Sequence, residues 1–557
     1  MNADFNRILL LALLSRLAIA SFMIICSLPR IFLNLQVDPG SDVLQFPLGE
    51  RTVFTTLLEP FTRWDSARLL SVAHYGRDRD GDEVYREQAH AFLPFYPLAI
   101  GSLQRVLPFP LTRLDEKELA VLSGLILSFL SFVIAVGALY DLTYTIMRVH
   151  RPADAAAMAK NVALLFILNP SNVFFTTVYT ESIFSCLTFC GYALWARGDS
   201  LSRNRRWLNQ LQLQLMAVIF WIMAGYTRSN GTAAAVYILL SCLGSIMGEI
   251  RNIDTARKSY ALLKTVFYGA STLLWHISLA VFVSLPLAYH DHTGYISHCS
   301  KQIQECQEKG LVTNDFQKIN PVCPGDTGKW YWPLPQPIPF HLIFPIKSEF
   351  SFYSYVQRKH WNVGPFRYYK VKQIPNFVLA IPMLVIGFYA CWCWCALSVR
   401  RWKQCQPNSR YVLWKHWYRW VFHALASSSF ISGTSSSDYP CGPDDDTKYG
   451  HFNRVFSNCP YLSSRMLSHY AILFATCFVG ALISHVQITT RLACSSCPAL
   501  YWFLAACLTD WFCVGEREQA FILRSDKRTM YQTLLWVYLI VFNVLGCFMH
   551  VNWLPWT

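Results

Sequence analysis

Charge is what this sequence has least of. Only 15% of its 557 residues are Asp, Glu, Lys or Arg, against roughly 25% in a soluble protein. That deficit excludes a molecule whose whole surface meets water. There is also no Gly-rich phosphate loop, no HExxH and no GxSxG, so a nucleotide donor site of the Rossmann kind is not expected. No solenoid-type repeat is visible, and no stretch is large enough to form a separate soluble domain. The nineteen cysteines do not make a disulfide framework. Many, such as Cys391, Cys393 and Cys395, lie in apolar runs where cysteine acts as a small hydrophobe. Cys299, Cys306 and Cys323 share one polar loop and allow one bridge of undetermined pairing. Cys494-x-x-Cys497 stands alone, without a second pair or histidines at ligand spacing, so nothing argues for zinc there.

What is present is apolar surface, at 53% of residues. Several runs approach the ~20 residues needed to cross a ~30 Å hydrocarbon core. The fold class is therefore an all-α polytopic membrane protein. Basic residues outnumber acidic ones, 48 to 34. In a soluble chain that would suggest nucleic acid. Here they cluster in short segments beside apolar runs, as cytoplasmic flanks do. Examples are Arg197 with Arg203, Arg205 and Arg206; Arg251 with Arg257 and Lys258; and Arg400, Arg401 and Lys403. No nucleic-acid partner is expected.

The first span runs from Ile8 to Leu28, with no small-residue cleavage site clearly following it, so it reads as a retained helix. Arg16 lies inside it and must face protein or water. A polar loop of about sixty residues follows. Further apolar stretches run over 92–107, 119–139, 155–168, 182–196, 211–226, 231–247, 265–289, 374–397, 466–484, 499–513 and 531–549. They predict roughly 10–12 membrane segments, with 92–107 and 155–168 short enough to be re-entrant. Residues 290–371 and 398–465 are long polar connections. The second is rich in Ser, Asp and Gly, a composition that cannot bury a core.

The chemistry concentrates in the first polar loop, at Arg63-Trp64-Asp65-Ser66-Ala67-Arg68. An ionised carboxylate can take a proton from a hydroxyl, and an indole face can stack on a sugar ring. The plain alternative is a solvated loop in which Asp65 caps a short helix with Leu69, Leu70, Val72 and Ala73 on its apolar face. Three more polar clusters sit at span ends. Asn169-Pro170-Ser171-Asn172 breaks a helix ahead of Tyr179-Thr180-Glu181. Glu181 is either a site carboxylate or one paired to an arginine. Arg228-Ser229-Asn230-Gly231 offers a guanidinium that can fork onto phosphate oxygens, or an arginine anchored at the headgroups. Trp361-Asn362, Lys372, Asn376 and Gln487 with Arg491 place amides and cations at further span ends and suggest a polar cavity. A lipid transporter would instead have paired broken helices in two related halves; this chain shows no matching halves.

These motifs, with Ala91-Phe92-Leu93-Pro94-Phe95-Tyr96-Pro97 and the terminal Asn552-Trp553-Leu554-Pro555-Trp556-Thr557, resemble the GPI mannosyltransferase 2 family in the same order from end to end. This is the phosphatidylinositol-glycan class V family of GT-C glycosyltransferases. The resemblance implies a GT-C-type multi-helix membrane fold in the endoplasmic reticulum membrane, with the catalytic acid in a first luminal loop over 29–91. Of the two long connections, 290–371 is expected on the luminal side and 398–465 on the cytoplasmic side. The donor would be dolichyl-phosphate-mannose, and the acceptor a mannosylated glucosaminyl-phosphatidylinositol that receives a second mannose in α1,6 linkage. Another dolichyl-phosphate-sugar transferase of the GT-C class is the alternative. Asp65 is then the candidate base. Trp64, Arg68, Asn169, Asn172, Tyr179, Glu181, Arg228, Asn230, Trp361, Asn362, Lys372, Asn376, Gln487 and Arg491 are candidate donor- or acceptor-binding residues, with Arg228 or Arg491 on the donor phosphate. No cofactor is expected. A divalent metal between Asp65 and Glu181 stays open, although no ligand spacing argues for one, and so does a small accessory membrane subunit. Two departures from the family pattern are the charged run 77–88 and an insertion over 427–460.

Overall fold

The computed structural model describes residues 3–32, 44–50, 52–77, 82–107, 114–148, 153–201, 207–251, 258–300, 351–405, 466–508, 528–554 and 556. Among the described residues, all regular elements are helical. Seven helices are long and apolar enough to cross a membrane, and one bent pair brings the number to eight. Two shorter apolar helices and a buried helix of 21 residues accompany them.

The first is α1 (Ala3–Phe32). The polar loop after it is largely helical: α2 (Val53–Leu58), a 3₁₀ turn (Glu59–Thr62), α3 (Asp65–Tyr75) and α4 (Glu83–Ala89). Local chemistry starts these short pieces. Thr52 and Thr55 form a reciprocal capping box, and Asp82 accepts from the Tyr85 N–H. Leu69, Leu70 and Val72 are buried, so α3 presents the apolar face read from its sequence.

Next comes α5 (Phe95–Val106), whose 12 residues reach only about 18 Å and cannot cross a ~30 Å core alone. The central helix α6 (Glu116–Met147) begins at a capping box between Asp115 and Glu118. The Asn-Pro break falls where the sequence places it. Helix α7 (Ala155–Ile167) stops there, α8 (Asn172–Thr176) is one turn long, and the buried α9 (Glu181–Leu201) follows.

Helices α10 (Trp207–Thr227) and α11 (Ala233–Arg251) are joined through a 3₁₀ turn over Ser229–Thr232. Gly231 makes that turn possible. A Cβ there would sit 2.7 Å from the backbone of Ala224 and Gly225, which no side chain tolerates without moving the turn that carries Arg228. The long α12 (Lys258–Tyr295) leads into the 290–371 connection, which contains α13 (Phe352–Trp361) and of which 301–350 lies outside the described residues. Likewise α14 (Ile374–Cys405) extends into the 398–465 stretch, whose remainder, 406–465, lies outside them. So do Cys306 and Cys323 of the expected bridge.

Finally come α15 (Leu467–Leu482), the pair α16 (Ile488–Ser496) and α17 (Pro498–Leu508), and α18 (Arg528–Val551). The sequence reads 499–513 as a span; α17 covers its described part, and α16 meets α17 at 90° around Cys497, with Pro498 opening the second helix.

The larger core joins α6, α7, α9, α10, α15 and α17 through Phe132, Phe166, Phe189, Trp195, Trp221, Tyr470 and Trp502. A second core packs the first loop (Phe61, Leu69, Leu70) against Tyr96, Val178, Tyr179 and the carboxyl end of α18. This second core fixes the site. Arg16 is wholly buried, and protein receives its charge. It donates to the Asn172 carbonyl, Asn172 Oδ1, Thr176 Oγ1 and the Ile167 carbonyl, and its guanidinium lies 3.8 Å from the Phe132 ring centre. Thus α1 holds the broken segment between α7 and α9 through its one mid-helix charge.

Candidate active site

Asp65 opens α3, one residue after a strained turn. Trp64 has φ 56° and ψ −127°, a conformation that costs a bulky residue roughly 1–3 kcal/mol and persists only where the surroundings dictate it. Here they do. The Trp64 indole N–H donates to the His550 carbonyl at 3.3 Å, and its ring packs on Trp553 with 5.4 Å between centroids. The Asp65 backbone N–H donates to the Tyr179 hydroxyl at 3.1 Å.

The Asp65 carboxylate is the outer end of a charged chain. Its Oδ2 accepts from Arg491 Nη1 at 3.1 Å. Arg491 Nε donates to Glu181 Oε1 at 2.7 Å, and Arg228 Nη1 reaches the same oxygen at 2.6 Å. Thr180 Oγ1 also accepts from Arg228 Nη1, at 3.1 Å. Two carboxylates and two guanidiniums cancel in charge, as a low-dielectric site requires. Exposure sorts their roles. The Glu181 side chain is 0% exposed, those of Arg491 and Arg228 are 11% and 13%, and that of Asp65 is 39%. Of the two carboxylates, only Asp65 can meet a substrate hydroxyl. Glu181 is the arginine-paired carboxylate of the plain reading, and it holds both cations expected on phosphate.

Aromatic rings fix Arg491 further: its guanidinium lies 4.5 Å from the Phe174 ring centre and 4.9 Å from that of Tyr179. Burial, and then the Asp65 charge, push the Tyr179 phenol well above its usual pKa, so it stays a neutral donor and acceptor. The Arg491 guanidinium lies between the two carboxylates and bonds both. Among the described residues, no group of three His, Cys, Asp or Glu side chains is arranged to hold a metal.

The other expected residues divide between a wall and the scaffold. Arg68 donates to Gln88 Oε1 and lies 5.4 Å from the Trp361 ring centre. Trp361 ends α13, and its carbonyl accepts from His485 Nε2. Burial lowers the His485 pKa below 6.5, which keeps it neutral. Tyr368 stacks on His485 at 4.5 Å and accepts from Asn376 Nδ2 at 2.8 Å; Gln487 bonds the same phenol. Glu87 pairs with Lys359 and His360, closing α4 against α13. Asn230 sits in the turn beside Arg228, where Ser229 Oγ meets the Tyr353 hydroxyl at 3.1 Å. Of these, Arg68 and His485 feel the Asp65 charge, and Asn230 adjoins Arg228 in sequence.

Four expectations place their residues elsewhere. Asn169 and Asn172 spend their amides on the Arg16 network: Asn172 Oδ1 accepts from Arg16 at 2.7 Å and from Asn169 at 3.0 Å, and Asn172 Nδ2 donates to Asn543 at 2.7 Å. Asn362 is the left-handed cap of α13, with φ 53°. Lys372 is exposed. Three participants were missed: Thr180, His550 and Trp553. For Trp553 the terminal motif carried a signal, but nothing in it specified contact with Trp64.

A family model described as Mannosyltransferase (PIG-V) matches residues 46–557. The chain is 27% identical over 525 residues to a GPI alpha-1,6-mannosyltransferase 2 of Mus musculus, covering 90% of this chain and 88% of the relative. The corresponding Homo sapiens protein is 25% identical over 525 residues, with the same coverage. A GPI mannosyltransferase 2 of Drosophila melanogaster is 23% identical over 553 residues, 98% of this chain and 99% of that protein.

Proposed function

This chain belongs to the PIG-V mannosyltransferase family, and from that premise we propose which mannose it transfers, and how. The donor is dolichyl-phosphate-mannose and the acceptor is mannosyl-glucosaminyl-phosphatidylinositol. The product carries a second mannose in α1,6 linkage, formed on the luminal side of the endoplasmic reticulum membrane. The names of the similar proteins support the linkage and the pathway. The observation that carries the mechanism is the exposure of Asp65 beside a wholly buried partner carboxylate.

The reaction is a single displacement at the anomeric carbon. The acceptor's 6-hydroxyl oxygen bonds to mannose C1 from the face opposite the dolichyl phosphate. The C1–O bond to phosphate breaks, and the electron pair leaves with dolichyl phosphate. Asp65 Oδ takes the hydroxyl proton. The β-linked donor thereby gives an α-mannoside. No covalent enzyme intermediate is needed, as in other inverting transfers between sugars and hydroxyls. Charge follows the proton: once Asp65 is neutral, Arg491 and Arg228 outnumber Glu181 by one. The site gains a positive charge as the departing phosphate gains a negative one, which is preorganised electrostatic stabilisation. A lipid-borne donor also accounts for a site without a nucleotide fold.

The test is direct. Purified full-length protein is given radiolabelled dolichyl-phosphate-mannose and the mono-mannosylated acceptor, and the product is digested with a linkage-specific mannosidase. The expected product is released only by an α1,6-mannosidase. A different linkage, or transfer to another acceptor only, overturns the assignment and favours the other GT-C reading.

A further inference from the structure

The first loop contains a cavity of about 210 Å³ that the charged chain does not use. It lies between residues 45–49, helix α2 with its 3₁₀ continuation, and the C-terminal turn. Thr55, Thr56, Glu59, Thr62, Arg63 and Trp553 give it its polar and aromatic lining. Arg63 pairs with Glu59, and its guanidinium lies 4.8 Å from the Trp553 ring centre. Trp64 packs on the same Trp553 ring. Both tryptophans have positive φ, 56° and 59°, so the backbone is strained at two points to keep this stack in place.

The lining decides the ligand class. Glu59 and Arg63 cancel in charge, so the cavity is not built for an anion. Hydroxyls, one carboxylate that accepts, one guanidinium that donates and an indole together match the alternating polar edge and apolar face of a sugar ring. Its volume is below the ~300–1,000 Å³ of sites for drug-sized ligands, which suits one ring and not a lipid tail. Its position decides which ring. Arg63 is two residues before Asp65 and so within about 7 Å of it along the chain. The cavity and the turn that carries Asp65 share the Trp64–Trp553 stack, so a ring seated here neighbours a ring whose hydroxyl meets Asp65.

We propose that the cavity is the acceptor-glycan subsite, holding the hexosamine ring while the attached mannose presents its hydroxyl to Asp65. The ring's ammonium group lies toward Glu59 and its face toward Trp553. The proposal rests on the reaction proposed above.

Two variants test it. A Cβ at Gly49, on the cavity wall, meets no heavy atom within 4 Å, so Gly49→Phe fills space without a clash at its base. Glu59→Gln removes the acceptor for the ammonium. Both are expected to raise the acceptor KM about tenfold or more, as loss of a charge-assisted hydrogen bond does, with the donor KM unchanged. An unchanged acceptor KM in both variants, or a donor KM rising in step, overturns the proposal. Saturation-transfer NMR with a soluble mannosyl-glucosaminyl-inositol phosphate on the full-length protein separates this from the reaction itself. Binding to wild type that both variants lose supports the subsite even where no mannose is transferred. No binding to wild type, or equal binding in all three proteins, refutes it.

Discussion

Replacing Glu181 with glutamine keeps the shape of the side chain and removes the charge that two arginines share. Glu181 is 0% exposed and the guanidiniums only 11% and 13%, so water cannot replace the lost carboxylate. Neutralising one partner of a buried ion pair costs roughly 3–5 kcal/mol, because the surviving charge stays buried. Here two cations lose the same partner, and only Arg491 keeps another, in Asp65. The expected loss is therefore toward the upper end, about 4–5 kcal/mol. Thermal unfolding of the purified full-length protein should shift down by roughly 3–4 °C. Because α3, α9, α16 and the turn after α10 all meet at this point, mannose transfer should fall with it. The double variant Glu181→Gln/Arg228→Gln removes one cation together with the anion and leaves Arg491 balanced by Asp65. It should be more stable than the sum of the two single losses by roughly 0.5–3 kcal/mol. A Glu181→Gln protein that unfolds with the wild type, or a double variant whose loss is the plain sum, would refute the reasoning.

Two further outcomes follow from the same geometry. Arg228→Lys keeps the charge but not the planar guanidinium, whose Nη1 bonds both Glu181 and Thr180 and whose remaining N–H donors suit a phosphate; the donor KM should rise several-fold with the acceptor KM unchanged, and wild-type donor dependence would return Arg228 to a purely structural role. His90 ends α4 near Arg77, His290 and His298, and burial followed by the Arg77 charge lowers its pKa from 6.5 to about 2. A histidine held neutral in the fold takes its proton only on unfolding, so its contribution is intact above pH 6.5 and is lost as pH falls below it, by about 1.4 kcal/mol per unit. Thermal unfolding at pH 7.5 and pH 5 should show this loss in wild type and a smaller one in His90→Gln; equal losses would remove His90 as its source.

Much of the frame was legible in residue types. The first span, the Asn-Pro break and the acid-bearing loop follow from apolar length, ring sterics and the placement of charge. The unequal fates of the polar residues were not legible, because they depend on which side chains meet across hundreds of residues. Asn169 and Asn172 carry the same amides as any ligand-binding pair, yet Arg16, more than 150 positions earlier, claims them. Arg228 and Arg491 both read as phosphate ligands; their common partner Glu181 is more than 300 positions from Arg491, and α16, set at 90° to α17, brings the two together. Trp553 shows a further limit. A tryptophan near a chain end reads as an interfacial anchor, and its contact with Trp64 comes from the return of α18 to the first loop.

Asp65 takes the proton, and its partner Arg491 holds it in place and offsets the charge of the departing phosphate. Asp65→Asn keeps size and polarity and removes the proton acceptor. The measurement is the single-turnover rate of mannose transfer from dolichyl-phosphate-mannose by purified Asp65→Asn protein, at saturating donor and acceptor. The account predicts a rate lower by roughly 10²–10⁴, with unfolding temperature and donor binding close to wild type. A rate within a few-fold of wild type, in protein that is equally well folded, would contradict it.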